Sequence, residues 1–150
     1  MIALTSNGCD DPSGCVLIYA FRKDSRRHPE AKSWLEAMVA SDAPFGVSSL
    51  AFSAVVRIVT NPRAFANPSH AAEVFEYCDA LLGQPNCEIV HPGDSHWTIF
   101  RRLCLETATR GTLVTDAWFA ALAIEHGCTW ATYDRDFARF PGLDLLRLPL

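Results

Sequence analysis

Short apolar runs rich in β-branched or aromatic residues alternate along this chain with longer stretches of helical periodicity. The clearest short runs cover residues 45–47, 87–90 and 128–132. Such alternation is typical of an α/β domain with a mainly parallel central sheet flanked by helices. With 150 residues, 49% of them hydrophobic, the chain can bury one continuous core. We therefore expect a single domain over residues 1–150, with an irregular segment at 1–15.

The stretches between these runs carry helix signals at their ends. Ser48 or Ser49 can cap one helix at its start, and Asp94 or Ser95 another. Gly127 is placed to close a helix in the left-handed conformation. The segment 16–22 (VLIYAFR) is compatible with a strand exit or with a first helix. Helices are predicted after Pro29, from 49 to the residues before Asn61-Pro62, over 70–82 with Gly83 at its end, from 96 to Gly111, and over 116–126.

Charge and hydropathy narrow the functional classes. The formal net charge is −4, so any contact with a nucleic acid must come from a local basic patch. No apolar run approaches the roughly 18 residues that a membrane span needs, and the N-terminus lacks the features of a secretion signal. We expect a cytoplasmic protein with no membrane contact. The six cysteines show no metal-binding spacing and are expected to be reduced, with a Cys9–Cys15 disulfide as the alternative.

Two acidic positions flank one predicted helix–strand unit near the C-terminus. Asp116 opens the predicted helix 116–126, and Asp134 follows the predicted strand 128–132. Because a helix that runs antiparallel to the next strand begins at the edge where that strand ends, the two carboxylates can converge. Carboxylates held together at neutral pH normally enclose a hard cation such as Mg²⁺ or Mn²⁺, which can activate water against a phosphate. The alternatives are a simple helix cap at Asp116 and turn residues at Asp134 and Asp136.

The string LVTDAWFAALAIEHGCTWATYDRDFARFPGL resembles the C-terminal half of VapC-type PIN-domain toxins, in which an Asp opens the helix and a T-x-D-x-D-F segment follows the last core strand. VLIYAFRKDSRRHPEAKSWLEA, FGVSSLAFSAVVRIVTNPRAF and HWTIFRRLC resemble earlier helices of the same family. The resemblance implies a PIN-like fold and an endoribonuclease toxin that cleaves structured RNA, tRNA or rRNA, with Mg²⁺ or Mn²⁺. It also implies a homodimer and neutralisation by a VapB-like antitoxin.

Carried over by this resemblance, Asp116 and Asp134 are metal-site and catalytic residues, and Asp136 is an additional catalytic acid acting through a bridging water. The family usually carries an Asp at the end of the first strand, in a D-x-N-x-L-I-Y segment. Here the aligned positions are Ser13 and Cys15. Asp10 or Asp11 could replace that acid, and we take Asp11 as the candidate metal residue.

A second acid common in the family, a Glu on the helix after the second strand, is also absent, because Ser53 and Ala54 stand at that place. Four basic residues are the candidates for binding the RNA backbone: Arg22, Lys23, Arg57 and Arg110. Solvated or core-flanking positions are the alternative for all four.

These departures leave a second functional hypothesis open. The chain could be a PIN-like domain whose acidic site has decayed, leaving an antitoxin-binding and dimerisation module. A phosphoryl-transfer domain of another α/β family is a third possibility, although such domains usually carry their acids early in the chain.

Overall fold

The structure is a computed structural model that describes residues 1–4 and 15–149. Its strands are β1 (Ile2–Leu4), β2 (Phe45–Val47), β3 (Cys87–Ile89), β4 (Thr129–Thr132) and β5 (Asp144–Arg147). Its helices are α1 (Val16–Phe21), α2 (His28–Val39), α3 (Ser49–Val59), α4 (Ala71–Leu82), α5 (His96–Glu106) and α6 (Leu113–Glu125), followed by a 3-10 helix, Arg135–Arg139.

The five strands form one sheet in the order β3-β2-β1-β4-β5, and all four pairings are parallel. β2 and β3 therefore lie on one side of β1, and β4 and β5 lie on the other side. This arrangement confirms the predicted α/β class with a mainly parallel central sheet flanked by helices. Parallel strands are joined by helical crossovers that cover the sheet, in agreement with the fully buried β2.

Several helix boundaries follow from signals that are visible in the sequence. Ser48 caps α3, because its Oγ accepts a hydrogen bond from the backbone N–H of Ala51 at 3.1 Å. Gly127 ends α6 with a φ of +61°, a left-handed conformation that glycine adopts without steric cost. Both predictions are confirmed, as is the strand at Phe45–Val47.

Other boundaries differ from the sequence-based expectation. The prediction that α6 begins at Asp116 was wrong, since the helix starts at Leu113 and Asp116 lies in its first turn. α5 does not continue to Gly111. It ends at Glu106, and the chain turns at Ala108, which has a φ of +49°. Residues 16–21 form a helix rather than a strand exit. Within the segment 1–15, Ile2–Leu4 is a strand, and the prediction of a single domain over 1–150 stays a prediction.

An aromatic stack joins α6, β4 and the 3-10 helix in the core. Trp130 of β4 lies 5.7 Å from Phe119 of α6 and 4.9 Å from Phe137 of the 3-10 helix, measured between ring centroids. All three side chains have no solvent exposure. Buried aromatics of this size dominate the apolar contribution to stability, so these three elements are held as one unit. Trp97 differs from the other tryptophans because it is 69% exposed.

The helices are short relative to a lipid bilayer. The helix α6 has 13 residues, whereas a membrane-spanning helix needs about 20. No helix in residues 1–4 and 15–149 combines the length and the apolar character of a transmembrane segment.

Glu125, at the end of α6, caps the start of α5. Its two carboxylate oxygens accept hydrogen bonds from the backbone N–H groups of Gly93 at 2.8 Å and Ser95 at 2.9 Å. Ser95, at the N-cap position, makes no capping bond with its own side chain. Burial opposes ionisation of Glu125, but the two N–H donors and the nearby charges of His126 and His96 outweigh it and lower the pKa of Glu125. The carboxylate therefore ties the two helices together.

We expect Glu125→Gln to lower the free energy of unfolding by about 1 kcal/mol at neutral pH, as loss of a helix cap does. Because the pKa of Glu125 is depressed in the folded protein, this stabilisation is present above its ordinary value of 4.5 and is lost as the pH falls through the folded-state pKa. Urea unfolding of both proteins at several pH values measures the effect.

The matched control is Glu106→Gln, which removes an exposed carboxylate paired with Arg102 on α5. Exposed pairs of this kind contribute little to stability. Equal losses in the two variants, or a loss in Glu125→Gln that persists unchanged at low pH, would contradict the capping role.

Candidate active site

The sheet has a topological switch point between β1 and β4. The chain moves from β1 to β2 and β3 on one side and then crosses to β4 on the other side. Crossovers that leave neighbouring strands in opposite directions open a crevice outside the carboxyl ends of those strands, where α/β proteins bind their ligands. We therefore expect a functional site at the carboxyl end of β4.

Asp116 is expected to lie near this edge of the sheet. The link 126–128 joins the end of α6 to the start of β4, so the end of α6 lies at the opposite, amino edge of the sheet. From Glu125 back to Asp116 the helix covers about 14 Å at 1.5 Å per residue. The three steps from Thr129 to Thr132 rise about 10 Å in β4. These lengths agree with a position of Asp116 near the carboxyl end of β4, which stays a prediction.

The Asp116 side chain is an unusual core component. The residue is only 2% exposed, in the first turn of α6. The positive end of the helix dipole favours a negative charge at this position. A carboxylate is rarely withdrawn from water to this extent unless cations or hydrogen-bond donors act on it. This burial distinguishes Asp116 from an ordinary surface cap.

Asp134 follows β4 and is ordered by its local turn. Its backbone N–H donates to Oγ1 of the buried Thr132 at 3.0 Å. Its Oδ1 accepts a hydrogen bond from the backbone N–H of Asp136 at 2.8 Å and so caps the 3-10 helix. This is the turn role given as the alternative to metal binding. One carboxylate oxygen of Asp134 is engaged in this turn.

Asp136 is a surface residue that pairs with an arginine. It is exposed, and its Oδ1 lies 3.1 Å from a guanidinium nitrogen of Arg139 in the next turn. The predicted catalytic role of Asp136 stays a prediction. Asp11 lies outside the described residues, so its predicted role at the metal site also stays a prediction.

Arg22 is built into the fold. It is 7% exposed, and its guanidinium donates to both carboxylate oxygens of Asp24, to the backbone oxygen of Asn67 at 2.9 Å and to Oγ of Ser69 at 2.8 Å. It also lies 4.0 Å from the ring centroid of Phe65. The hydrogen bonds from Arg22 lower the pKa of Asp24. Arg22 thereby ties α1 to the loop after α3, and its predicted RNA contact stays a prediction.

The other three basic candidates are exposed. Lys23 lies on the loop after α1, Arg57 on α3, and Arg110 on the loop before α6. Arg57 lines a cleft between α3 and α4. These three residues lie on different elements, and their predicted role in binding RNA stays a prediction.

Sequence reasoning did not single out the cluster around Tyr133, next to Asp134. The guanidinium of Arg27 lies 4.9 Å from the ring centroid of Tyr133, and the Tyr19 ring meets Tyr133 edge-on at 5.5 Å. The one local signal was the position of Tyr133 between β4 and Asp134. Arg27 and Tyr19 come from the far end of the chain, and only the fold brings them here.

The acids that the structure describes do not form a closed metal cage. Within residues 1–4 and 15–149, no group of three or more His, Cys, Asp or Glu side chains is arranged to hold a metal ion. The two candidate carboxylates of this edge, Asp116 and Asp134, belong to elements that contact each other, since α6 packs against β4 and the 3-10 helix.

Comparison with known proteins agrees with this architecture. The family model for the PIN domain matches residues 14–143. Ribonuclease VapC31 of Mycobacterium tuberculosis is 38% identical to this chain over 135 residues, which cover 90% of this chain and 95% of that protein. This extent of similarity covers every described helix.

Solved structures show the same fold at lower sequence identity. VapBC2 from Rickettsia felis, bound to a DNA fragment from its promoter, matches with a TM-score of 0.69 and 18% identity over 98% of each chain. VapC20 of Mycobacterium tuberculosis, described as a sarcin-ricin loop cleaving toxin, matches with a TM-score of 0.65 and 12% identity over 95% of this chain and 98% of that one. The chain therefore belongs to the PIN-domain family, and it is similar over most of its length to VapC ribonucleases.

Proposed function

We propose that this protein is a metal-dependent endoribonuclease toxin that acts in the cytoplasm on structured RNA, tRNA or rRNA, and that an antitoxin neutralises it. The observation that carries the proposal is the buried carboxylate of Asp116 in the first turn of α6, a helix that packs against β4 and against the 3-10 helix that Asp134 caps. The similarity to VapC31, a ribonuclease, and to VapC20, which cleaves the sarcin-ricin loop, supports it.

These two carboxylates fit a hard divalent cation. Mg²⁺ is usually held by one or two carboxylates and keeps several waters, so it needs no closed protein cage. Asp116 and Asp134 supply such a pair, and we assign the cation to them. When bound, Mg²⁺ or Mn²⁺ lowers the pKa of a water and neutralises charge on the phosphate.

The protein's own groups then position the RNA and the cation. Asp116 is fixed by burial in α6, and Asp134 is fixed by its turn, so neither carboxylate has to reorganise before the reaction. Asp136 is proposed to assist through a bridging water. Exposed cations of the kind found at Lys23, Arg57 and Arg110 are suited to the RNA backbone.

The first test is metal binding without RNA. We expect Asp116→Asn and Asp134→Asn each to weaken Mn²⁺ binding by roughly tenfold or more, because each removes a charged ligand. Titration of Mn²⁺ into the purified proteins, followed by calorimetry or by electron paramagnetic resonance, gives the dissociation constants.

Asp144→Asn is the matched control for metal binding. Asp144 opens β5, at the opposite edge of the sheet, and accepts a hydrogen bond from Thr129 at 2.6 Å. Its replacement is expected to leave the Mn²⁺ affinity unchanged. A wild-type protein that binds no Mn²⁺, or equal losses in all three variants, would contradict the assignment.

The second test is RNA cleavage. We expect the wild-type protein to cut a tRNA pool or a sarcin-ricin loop hairpin with Mg²⁺ or Mn²⁺, and to lose this activity with excess chelator. Asp116→Asn is expected to reduce the rate on the order of a hundredfold or more, the scale of losing a group that stabilises the transition state. Gel-based kinetics with melting curves of both proteins separate lost activity from lost folding.

The same experiment decides between the enzyme and the decayed module. A folded wild-type protein that binds an antitoxin but cuts neither RNA at any metal concentration would favour the antitoxin-binding and dimerisation module. A rate of RNA cleavage that is equal with and without chelator would instead contradict the metal-dependent mechanism.

A groove between the helices is our candidate surface for the antitoxin. It has a volume of about 670 Å³ and lies between α1, α2 and α4. Apolar residues of its lining include Leu35, Val39 and Leu81. Its charged residues are of both signs, because Lys32 is paired with Glu36. Grooves of this kind receive the apolar face of an amphipathic helix. We propose that a VapB-like antitoxin inserts such a helix here.

Ala80→Arg is expected to weaken antitoxin binding at least tenfold, because it places a long charged side chain in the groove. Ala80 lines the groove and is exposed, so the fold tolerates the change. Ala37→Arg, at an exposed alanine of α2 that does not line the groove, is the control. Calorimetry with the cognate antitoxin compares them, and equal affinities would rule out this groove. The homodimer stays a prediction.

A further inference from the structure

A small pocket opens beside Asp134, at the carboxyl ends of β4 and β5. It has a volume of about 440 Å³, and its lining is formed by Tyr133, Arg135, Arg147, Leu148 and Pro149. Its position and its charge set it apart from the two larger apolar cavities.

The sheet register fixes where this pocket lies. Thr132, the last residue of β4, pairs with Arg147, the last residue of β5. The backbone N–H of Leu148 donates to the carbonyl of Thr132 at 3.1 Å and continues the pairing by one residue. Tyr133 and Leu148 therefore leave neighbouring strands at the same edge. Asp134 follows Tyr133 directly, so the pocket adjoins the candidate active site.

Three guanidinium groups surround Tyr133. Arg135 and Arg147 line the pocket and are exposed, and Arg27 lies 4.9 Å from the centroid of the Tyr133 ring. The ion pairs described for arginines in residues 15–149 involve Arg22, Arg102 and Arg139 instead. No carboxylate is among the residues that line the pocket, within the part of the chain that the structure describes.

The charged side chains that line the pocket are the exposed guanidinium groups of Arg135 and Arg147. Asp134 follows Tyr133 in the chain, but it is not among the lining residues. The described lining therefore carries an excess of positive charge. In a chain of net charge −4, such a local excess marks a site for an anion.

The aromatic wall of the pocket is already held in place. Tyr133 is 8% exposed, packs edge-on against Tyr19 at 5.5 Å and has Arg27 over its ring. A ring that carries a guanidinium over its face is less open to stacking by a nucleobase. The two exposed arginines instead present planar donor forks, which match the oxygens of a phosphate.

We propose that Arg135 and Arg147 form a subsite for a phosphodiester of the RNA strand, next to the phosphate that is cleaved at Asp116 and Asp134. This inference rests on the proposed function for the identity of the strand. The subsite fixes where the RNA backbone crosses the sheet edge, and so it positions the scissile phosphate. Arg27 and Tyr133 support it without contacting the RNA bases.

The test measures RNA affinity across a salt series, with excess chelator present so that metal-dependent cleavage does not interfere. The probe is a short labelled single-stranded RNA. Arg135→Gln and Arg147→Gln are each expected to weaken binding severalfold at low salt. The slope of log affinity against log salt is expected to fall by about 0.7, the value for one phosphate contact on a single strand.

Arg63→Gln is the matched control. Arg63 is an exposed arginine on the loop after α3, and it does not line the pocket. Its affinity and salt slope are expected to equal those of the wild type. All three arginines are exposed, so melting curves should coincide. If Arg135→Gln and Arg147→Gln both match Arg63→Gln in affinity and slope, the subsite does not exist.

A second measurement separates this inference from the proposed function. With Mg²⁺ or Mn²⁺ present, the arginine variants are expected to raise KM for RNA more than they lower kcat, since the lost contact is one of binding. Cleavage by the wild type with unchanged slopes in both variants would overturn the subsite alone. Reduced slopes without any cleavage by the wild type would overturn the enzyme and keep the anion site. Variants that lose affinity for the antitoxin but not for RNA would show a protein occupant and overturn the subsite.

Discussion

The parallel pairing of β1 with β4 is the interaction on which the rest of the structure depends. It joins the two halves of the sheet, β3-β2-β1 and β4-β5, and so creates the crevice at their carboxyl ends. The register of this pairing determines which residues reach the edge. Asp134 stands there because β4 ends at Thr132, and Asp116 lies in the first turn of α6, which packs against β4.

Core packing and site placement are achieved by the same residues. Trp130 fixes β4 against Phe119 of α6 and Phe137 of the 3-10 helix. These three elements carry Asp116 and Asp134. A close-packed core resists small shifts, so it fixes the elements that carry the two carboxylates relative to one another.

Five arginines of this chain show two different kinds of surroundings. Arg22, Arg102 and Arg139 are held by acidic side chains and serve the fold or its surface. Arg135 and Arg147 line a pocket without a lining carboxylate in the described part of the chain. The formal net charge of −4 conceals this division, because net charge sums over the whole molecule whereas a phosphate responds to the field within about 10 Å.

The sequence by itself determined the fold class, most helices and the two acidic positions. The helix over 70–82, the cap at Ser48 and the turn at Gly127 follow from periodicity and from local side-chain chemistry, which act within a few residues. The string from 113 to 143 also sufficed for the resemblance to the family.

Only the tertiary structure decided how these parts are used. It placed Asp116 inside the first turn of α6, and it engaged Arg22 with Asn67 and Ser69. It also brought Arg27 over Tyr133. The partners in these contacts lie far apart along the chain or depend on where a helix begins. Local preferences do not encode them, because they arise from strand register and from the packing of whole elements against one another.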